Sequence, residues 1–113
     1  MRSLVAALLP LTFAAAALAQ GIPVQGVGTS SCGQYLQLRA KKNNAQDRVL
    51  VSWIWGYMAG FNMEVLQPTT REAPDAPSTL AYIDKHCREN PLDNVLIATN
   101  ALIRDLGGKR NTQ

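Results

Sequence analysis

The side chains able to do chemistry are few and far apart in this 113-residue chain. Its one histidine, His86, stands directly before Cys87, one of two cysteines. A thiol and an imidazole in contact would make a nucleophile and its base. Neighbours at i and i+1 on a helix point in different directions, so this pair cannot make that contact directly. Two distant cysteines and one histidine also fall short of a four-ligand zinc set. The carboxylates of Glu64, Glu72, Asp75, Asp84, Glu89, Asp93 and Asp105 are scattered, with no spacing that marks an acid–base couple. No serine lies in a nucleophile elbow, and there is no phosphate-binding loop. Gly26-Val27-Gly28 lacks the third glycine, the preceding strand and the later acidic residue of a dinucleotide fingerprint. Trp53, Trp55, Tyr57 and Phe61 recur at helical spacing, which is the mark of a core. The expectation is a protein without catalytic, metal or cofactor sites.

The first residues bear on where the chain resides. Arg2 precedes an apolar run from Leu4 to Leu18, broken only by Pro10 and Thr12, and Ala17-Leu18-Ala19 is a small-x-small site. This is the layout of a secretory signal peptide over residues 1–19, cleaved after Ala19. The run is short for a bilayer-spanning helix, which needs roughly 20 apolar residues. No cysteine stands at the cleavage point for lipidation. The expected location is the periplasm, where disulfides form and persist. With only two cysteines, the expected pairing is Cys32–Cys87. The chain has 11 basic and 8 acidic residues, and Arg2 leaves with the signal, so the mature charge is +2. That charge is mild and unclustered, and it does not argue for nucleic acid.

The elements that would position these residues read as all-α. Residues 20–31, with Gly21, Pro23, Gly26 and Gly28, look like a flexible leader. Residues 32–108 form the domain, and 109–113 are a polar tail. A first helix is expected from Gly33 to Lys41, capped by Ser30 or Ser31 and broken by Asn43-Asn44. A second and longest helix spans Ala45 to Val65, with Leu50, Trp53, Ile54, Tyr57, Met58, Phe61 and Val65 at three- and four-residue steps. Val51 and Trp55 widen its apolar surface beyond one stripe. Gly56 and Gly60 lie four apart on one face. Each costs about 1 kcal/mol against alanine within a helix, so close approach of a partner helix is the expected reason, with Trp53 and Tyr57 packing beside them. Residues 67–77, rich in proline and polar side chains, make a surface loop and one candidate contact surface. Ser78 is expected to cap a third helix over Thr79 to Arg88. Leu80, Ile83 and Cys87 would face the core, and Asp84 and Arg88 would form an i, i+4 pair. Asn90-Pro91-Leu92-Asp93 reads as the start of a fourth helix, which buries Leu92, Val95, Leu96, Thr99, Leu102, Ile103 and Leu106 and ends at Gly107-Gly108. The fold expected is a small bundle of about four helices closed by one disulfide.

Three stretches carry a resemblance. They are Cys32-Gly33-x-Tyr35-Leu36-x-x-Arg39, then Trp53-Ile54-Trp55-Gly56-Tyr57-x-x-Gly60-x-Asn62, and Tyr82-x-Asp84-x-x-Cys87-Arg88-x-Asn90-Pro91-Leu92-Asp93. In this order they resemble the small exported proteins grouped with type VI secretion amidase-immunity proteins, the Rap/Tai group. They are more distantly similar to the HdeA/HdeB acid-stress chaperones. His86 departs from the pattern, which has an aromatic residue before the cysteine. The resemblance implies a periplasmic helical bundle with one disulfide. Its immunity members bind and block a cell-wall-cleaving amidase, and dimers occur among them, so a peptidoglycan amidase and a second copy are the implied partners. The matched residues are scaffold, and no partner-contacting residue carries over. The alternative role implied is an acid-stress chaperone.

Closing the 56-residue loop from Cys32 to Cys87, both ends counted, restricts the unfolded chain by roughly 4 kcal/mol. Cys87→Ser should therefore lower the stability of the exported domain by about 2–5 kcal/mol. Urea unfolding under oxidising conditions measures it, and an unchanged midpoint would refute the disulfide's structural role.

Overall fold

A computed structural model of the chain describes residues 23–64 and 73–108. The signal segment, the tail and most of the 67–77 loop lie outside them. The described residues form one 3-10 turn, Gly26–Thr29, and four α-helices: α1 Cys32–Ala40, α2 Asn44–Glu64, α3 Ala76–Glu89 and α4 Val95–Asp105. The fold is the expected all-α bundle closed by a Cys32–Cys87 disulfide. None of these helices is long and apolar enough to cross a membrane.

Each helix starts where a side chain satisfies its free N–H groups. Ser31 and Gln34 form a capping box on α1: Gln34 N–H donates to Ser31 Oγ and Ser31 N–H to Gln34 Oε1, both at 3.1 Å. The break before α2 falls at Lys41-Lys42, with Lys42 at φ +49°. Asn43 Oδ1 then accepts from Ala45 and Gln46 N–H, at 3.0 and 3.2 Å. Two starts differ from expectation. α3 begins at Ala76, and its cap is Asp75, which accepts from Ser78 N–H at 2.8 Å. Ser78 is therefore a donor inside the first turn, with Pro77 beside it. α4 begins four residues later than expected, capped by Asn94 through Ile97 N–H at 2.9 Å. Asn90 instead closes α3, donating its backbone N–H to His86 O at 2.8 Å. The physical reason is backbone pairing. Cys32 N–H donates to Asp93 O at 2.9 Å and Val95 N–H to Ser30 O at 3.0 Å. Asn94 is thus held extended against Ser31, and the helix cannot begin before Val95. Leu92, expected in the buried stripe, projects from the turn and is 99% exposed.

The core forms around the disulfide. Cys32, Tyr35, Leu50, Ile54, Ile83, Cys87, Val95 and Ala98 are fully buried. At the other end of α4, Gly107 adopts φ +90°, and Gly108 N–H returns to Ile103 O at 2.8 Å, the left-handed ending that glycine permits.

The leader and the helix glycines also differ from expectation. Residues 26–29 are ordered against α2: Trp53 Nε1 donates to Gln25 O at 3.0 Å, and a Cβ on Gly28 would lie inside the Trp53 ring. Trp53 stacks on Tyr57 with centroids 5.5 Å apart, and Tyr57 OH donates to Asn100 Oδ1 of α4 at 3.1 Å. Gly56 and Gly60, by contrast, are exposed. Apart from their chain neighbours and the backbone of their own helix, no described atom lies within 4 Å of where their Cβ would stand. The glycine demanded by close packing is Gly28.

Gly28→Ala should destabilise the domain by about 1–3 kcal/mol, as over-packing does. Gly56→Ala should stabilise it by up to about 1 kcal/mol through helix propensity. Thermal unfolding of both variants tests the contrast; equal shifts would refute it.

Candidate binding surface

Three helices meet at one guanidinium. Arg39, in the last turn of α1, donates from Nη1 to Asp47 Oδ2 of α2 at 2.8 Å. From Nε and Nη2 it grips Asp84 of α3 with both arms of its fork, at 3.0 and 3.1 Å. Tyr35 OH donates to Asp84 Oδ1 at 2.8 Å. The three charged side chains are only 16–23% exposed. Asp84 thus faces α1 rather than pairing along its own helix with Arg88. A two-armed, half-buried contact is stronger than a solvated i, i+4 pair. Asp47 Oδ1 is buried with no hydrogen-bond partner among the described residues.

Two further ties use Asp93 and Asp105. His86 Nε2 lies 2.8 Å from Asp93 Oδ2, fastening α3 to the turn before α4. Tyr82 OH donates to Asp105 Oδ2 at 2.6 Å, joining α3 to the end of α4. His86 therefore has a carboxylate partner that the sequence did not reveal. Its neighbour Cys87 is consumed by the disulfide. Among the described residues, no group of three or more His, Cys, Asp or Glu could hold a metal ion.

Beside the Arg39 cluster, a groove of about 420 Å³ opens where the N-terminal half of α2 faces the start of α3. Val51, Trp55, Ala76 and Leu80 supply its apolar lining, with Asn44, Asp47, Arg48 and Ser52 among them. Trp55 Nε1 donates to Thr79 Oγ1 at 3.2 Å, and that hydroxyl donates to Pro74 O at 3.3 Å. The indole is thereby held in place while Trp55 remains 39% exposed. A fixed, partly exposed tryptophan beside an apolar slot can anchor another molecule, because aromatic anchors in desolvated pockets dominate binding.

The residues singled out in the sequence divide among three places. Cys32 and Cys87 lie together in the core. Trp53, Tyr57 and Gly56 line a shallow hollow with Val24 and Gln25 on another side of α2. Gly60 lines neither hollow nor groove. The groove itself escaped sequence reading. Its one signal was the apolar arc of α2, which Val51 and Trp55 make too wide for a single buried stripe.

The phenols report on this network. Burial, then the hydrogen bond to Asp84, raises the Tyr35 pKa far above the usual 10. Burial, then the contact with Asp105, pushes Tyr82 up to about 12. The folded chain holds both protons more tightly than the unfolded chain. Their stabilisation is complete below pH 10 and is lost as pH rises through the folded values. Stability should therefore fall from pH 10 upward. In a phenolate absorbance titration, a step near pH 12 should vanish in Tyr82→Phe, and Tyr35 should ionise only with unfolding. Ionisation of Tyr35 near pH 10 in the folded chain would contradict the network.

No family model, curated protein or solved structure matches this chain.

Proposed function

We propose that this chain is an exported, periplasmic binding protein without catalytic activity, an immunity-type inhibitor that occludes a cell-wall amidase. The observation that carries this reading is the groove beside Trp55, an exposed aromatic anchor on a scaffold braced by a buried disulfide and a three-helix ion cluster. A braced scaffold binds without a large ordering cost, because its contact residues are already positioned. Arg39, Asp47, Asp84, His86, Asp93 and Asp105 are occupied in ties between elements. The resemblance to the Rap/Tai group supports the same role.

A second reading, an acid-stress chaperone of the HdeA/HdeB kind, is favoured by where the carboxylates sit. Asp47 and Asp84 share Arg39. Asp75, the cap of α3, is held below the usual carboxylate value by its hydrogen bonds with Ser78. Its contribution is present above pH 3.8, the ordinary value, and is lost as pH falls through the lower folded value. Acid would thus loosen α3 at its cap.

The tagged chain, recovered from the periplasm of its host at neutral pH, should carry a stoichiometric cell-wall hydrolase and inhibit it. Trp55→Ala should weaken that inhibition at least tenfold, the loss of a hot-spot aromatic. A chain recovered alone, with no effect on the hydrolases of its host, would overturn the immunity reading. A hydrophobic-dye signal appearing below pH 4 with the disulfide intact would then favour the chaperone; a silent dye at pH 3 would reject it.

A further inference from the structure

Leu92 stands apart from the other apolar side chains that reach the surface. Among the described residues, Val24, Val49, Trp55 and Ile97 are 39–56% exposed, whereas Leu92 is 99% exposed. A lone surface leucine on a loose loop needs no explanation. This one sits at the tip of a braced turn. Asp93 N–H closes the turn on Asn90 O at 3.1 Å, and Cys32 N–H holds Asp93 O at 2.9 Å. Asn90 donates to His86 O from both its backbone N–H, at 2.8 Å, and its Nδ2, at 3.0 Å. His86 Nε2 lies 2.8 Å from Asp93 Oδ2, and Pro91 fixes the backbone before the leucine. A rigid knob of this kind gives up little conformational freedom when it is buried in a contact.

A seat for such a knob lies on the same chain. The groove between α2 and α3 has an apolar lining of Val51, Trp55, Ala76 and Leu80. Its charged residues are one acid and one base, Asp47 and Arg48, and Asp47 is paired with Arg39. That lining does not select by charge; it suits an uncharged apolar side chain. Ala76 and Leu80 belong to the first turns of α3, whereas Leu92 lies beyond its last residue, Glu89. With 14 residues, α3 separates knob and groove by about 20 Å, so a chain cannot fill its own groove.

We propose that Leu92 of a second copy fills the groove when no protein partner does, so that self-association closes the binding surface. This rests on the reading of the groove as that surface and adds its regulation. An apolar knob that complements a pocket elsewhere on the same molecule joins copies to one another, and reciprocal seating of two knobs in two grooves closes a twofold dimer. The contact is small and therefore weak, which lets a partner displace it. A lipid surface is a poorer match for Leu92, because one leucine holds far less well than a single acyl chain, whose own anchoring is marginal.

Sedimentation of the full exported chain from micromolar to millimolar concentration tests this. The parent should pass from monomer to dimer. Leu92→Ser and Trp55→Ala should each weaken the dimer at least tenfold, as for the loss of one anchor. Leu92 is fully exposed, so Leu92→Ser should keep the circular dichroism spectrum of the parent. Ser52→Lys, at an exposed position of the groove lining, replaces Trp55→Ala if that variant loses the spectrum. The decisive arm mixes the knob variant with the groove variant. Each supplies what the other lacks, so the mixture should associate several-fold more tightly than either variant alone. A parent that stays monomeric at millimolar concentration, a dimer that survives Leu92→Ser, or a mixture no tighter than its components would overturn the proposal. With a captured hydrolase, Leu92→Ser should inhibit more strongly than the parent at concentrations where the parent pairs, because no second copy then competes; equal inhibition would overturn the regulation. The full sedimentation pattern without any captured hydrolase would support the knob-in-groove contact and count against the immunity role alone.

Discussion

Cys32 is the first residue of α1, and Cys87 lies in the last turn of α3. Joining them sets the two helices antiparallel, with their Cα atoms 4.9 Å apart at the bond. The backbone on either side of the bond is committed as well. The strand-like pairing of Ser31 with Asn94 brings the start of α4 to the same point. One covalent link and two backbone hydrogen bonds thus converge where α1 begins, α3 ends and α4 is about to begin. A domain this small buries too little surface for a wide margin of stability. A constraint that unites three helix ends at one place therefore governs how the remaining surfaces can meet.

From that junction, the antiparallel course of α1 and α3 sets the next contacts. Tyr35, one turn on from Cys32, reaches Asp84, one turn back from Cys87. Arg39, a further turn along, reaches the same carboxylate and then turns to Asp47. The ladder passes from disulfide to phenol to guanidinium as it moves from core to surface, and polarity rises with solvent access at each rung. That order has a physical basis. A disulfide asks for no hydrogen-bond partner, a phenol asks for one, and a guanidinium asks for several. The last rung is also where the groove begins, because Asp47 belongs to both. The surface read as a binding site is therefore continuous with the bracing that keeps it in shape.

α2 is the element least accounted for by packing alone. Its inner face supplies Leu50, Ile54 and Met58 to the core. One flank holds Trp53 and Tyr57 under the 3-10 turn, and the other presents Trp55 at the groove. Gly56 and Gly60 lie open with no described neighbour. A helix that carries two exposed glycines and a half-exposed tryptophan departs from what helix stability alone would select. Such departures mark places where selection acts on something other than folding.

Much of the architecture was legible in the amino-acid sequence: four helices, their order, the disulfide, and most of the buried positions from Tyr35 to Ile103. Period and cysteine count determine these, and both are local or combinatorial properties. Helix starts at Asp75 and Asn94 were less legible, since Ser78 and Asn90 offered the same capping chemistry nearby. Local propensity cannot rank caps whose choice depends on whether the following backbone is needed elsewhere, as residues 93–95 are needed by 30–32. The ties of Arg39 to Asp47 and Asp84, of His86 to Asp93, and the role of Gly28 under Trp53 were not legible at all. Each joins residues that adjoin only after the helices have packed, or across a turn whose path packing sets. By itself, then, the sequence determined which segments are helical and that Cys32 must find Cys87, because periodicity and pairing need no knowledge of distance. Only the tertiary structure decided which charges neutralise one another and which aromatic, Trp55, is left facing outward at a groove, because both depend on how one helix lies against the next.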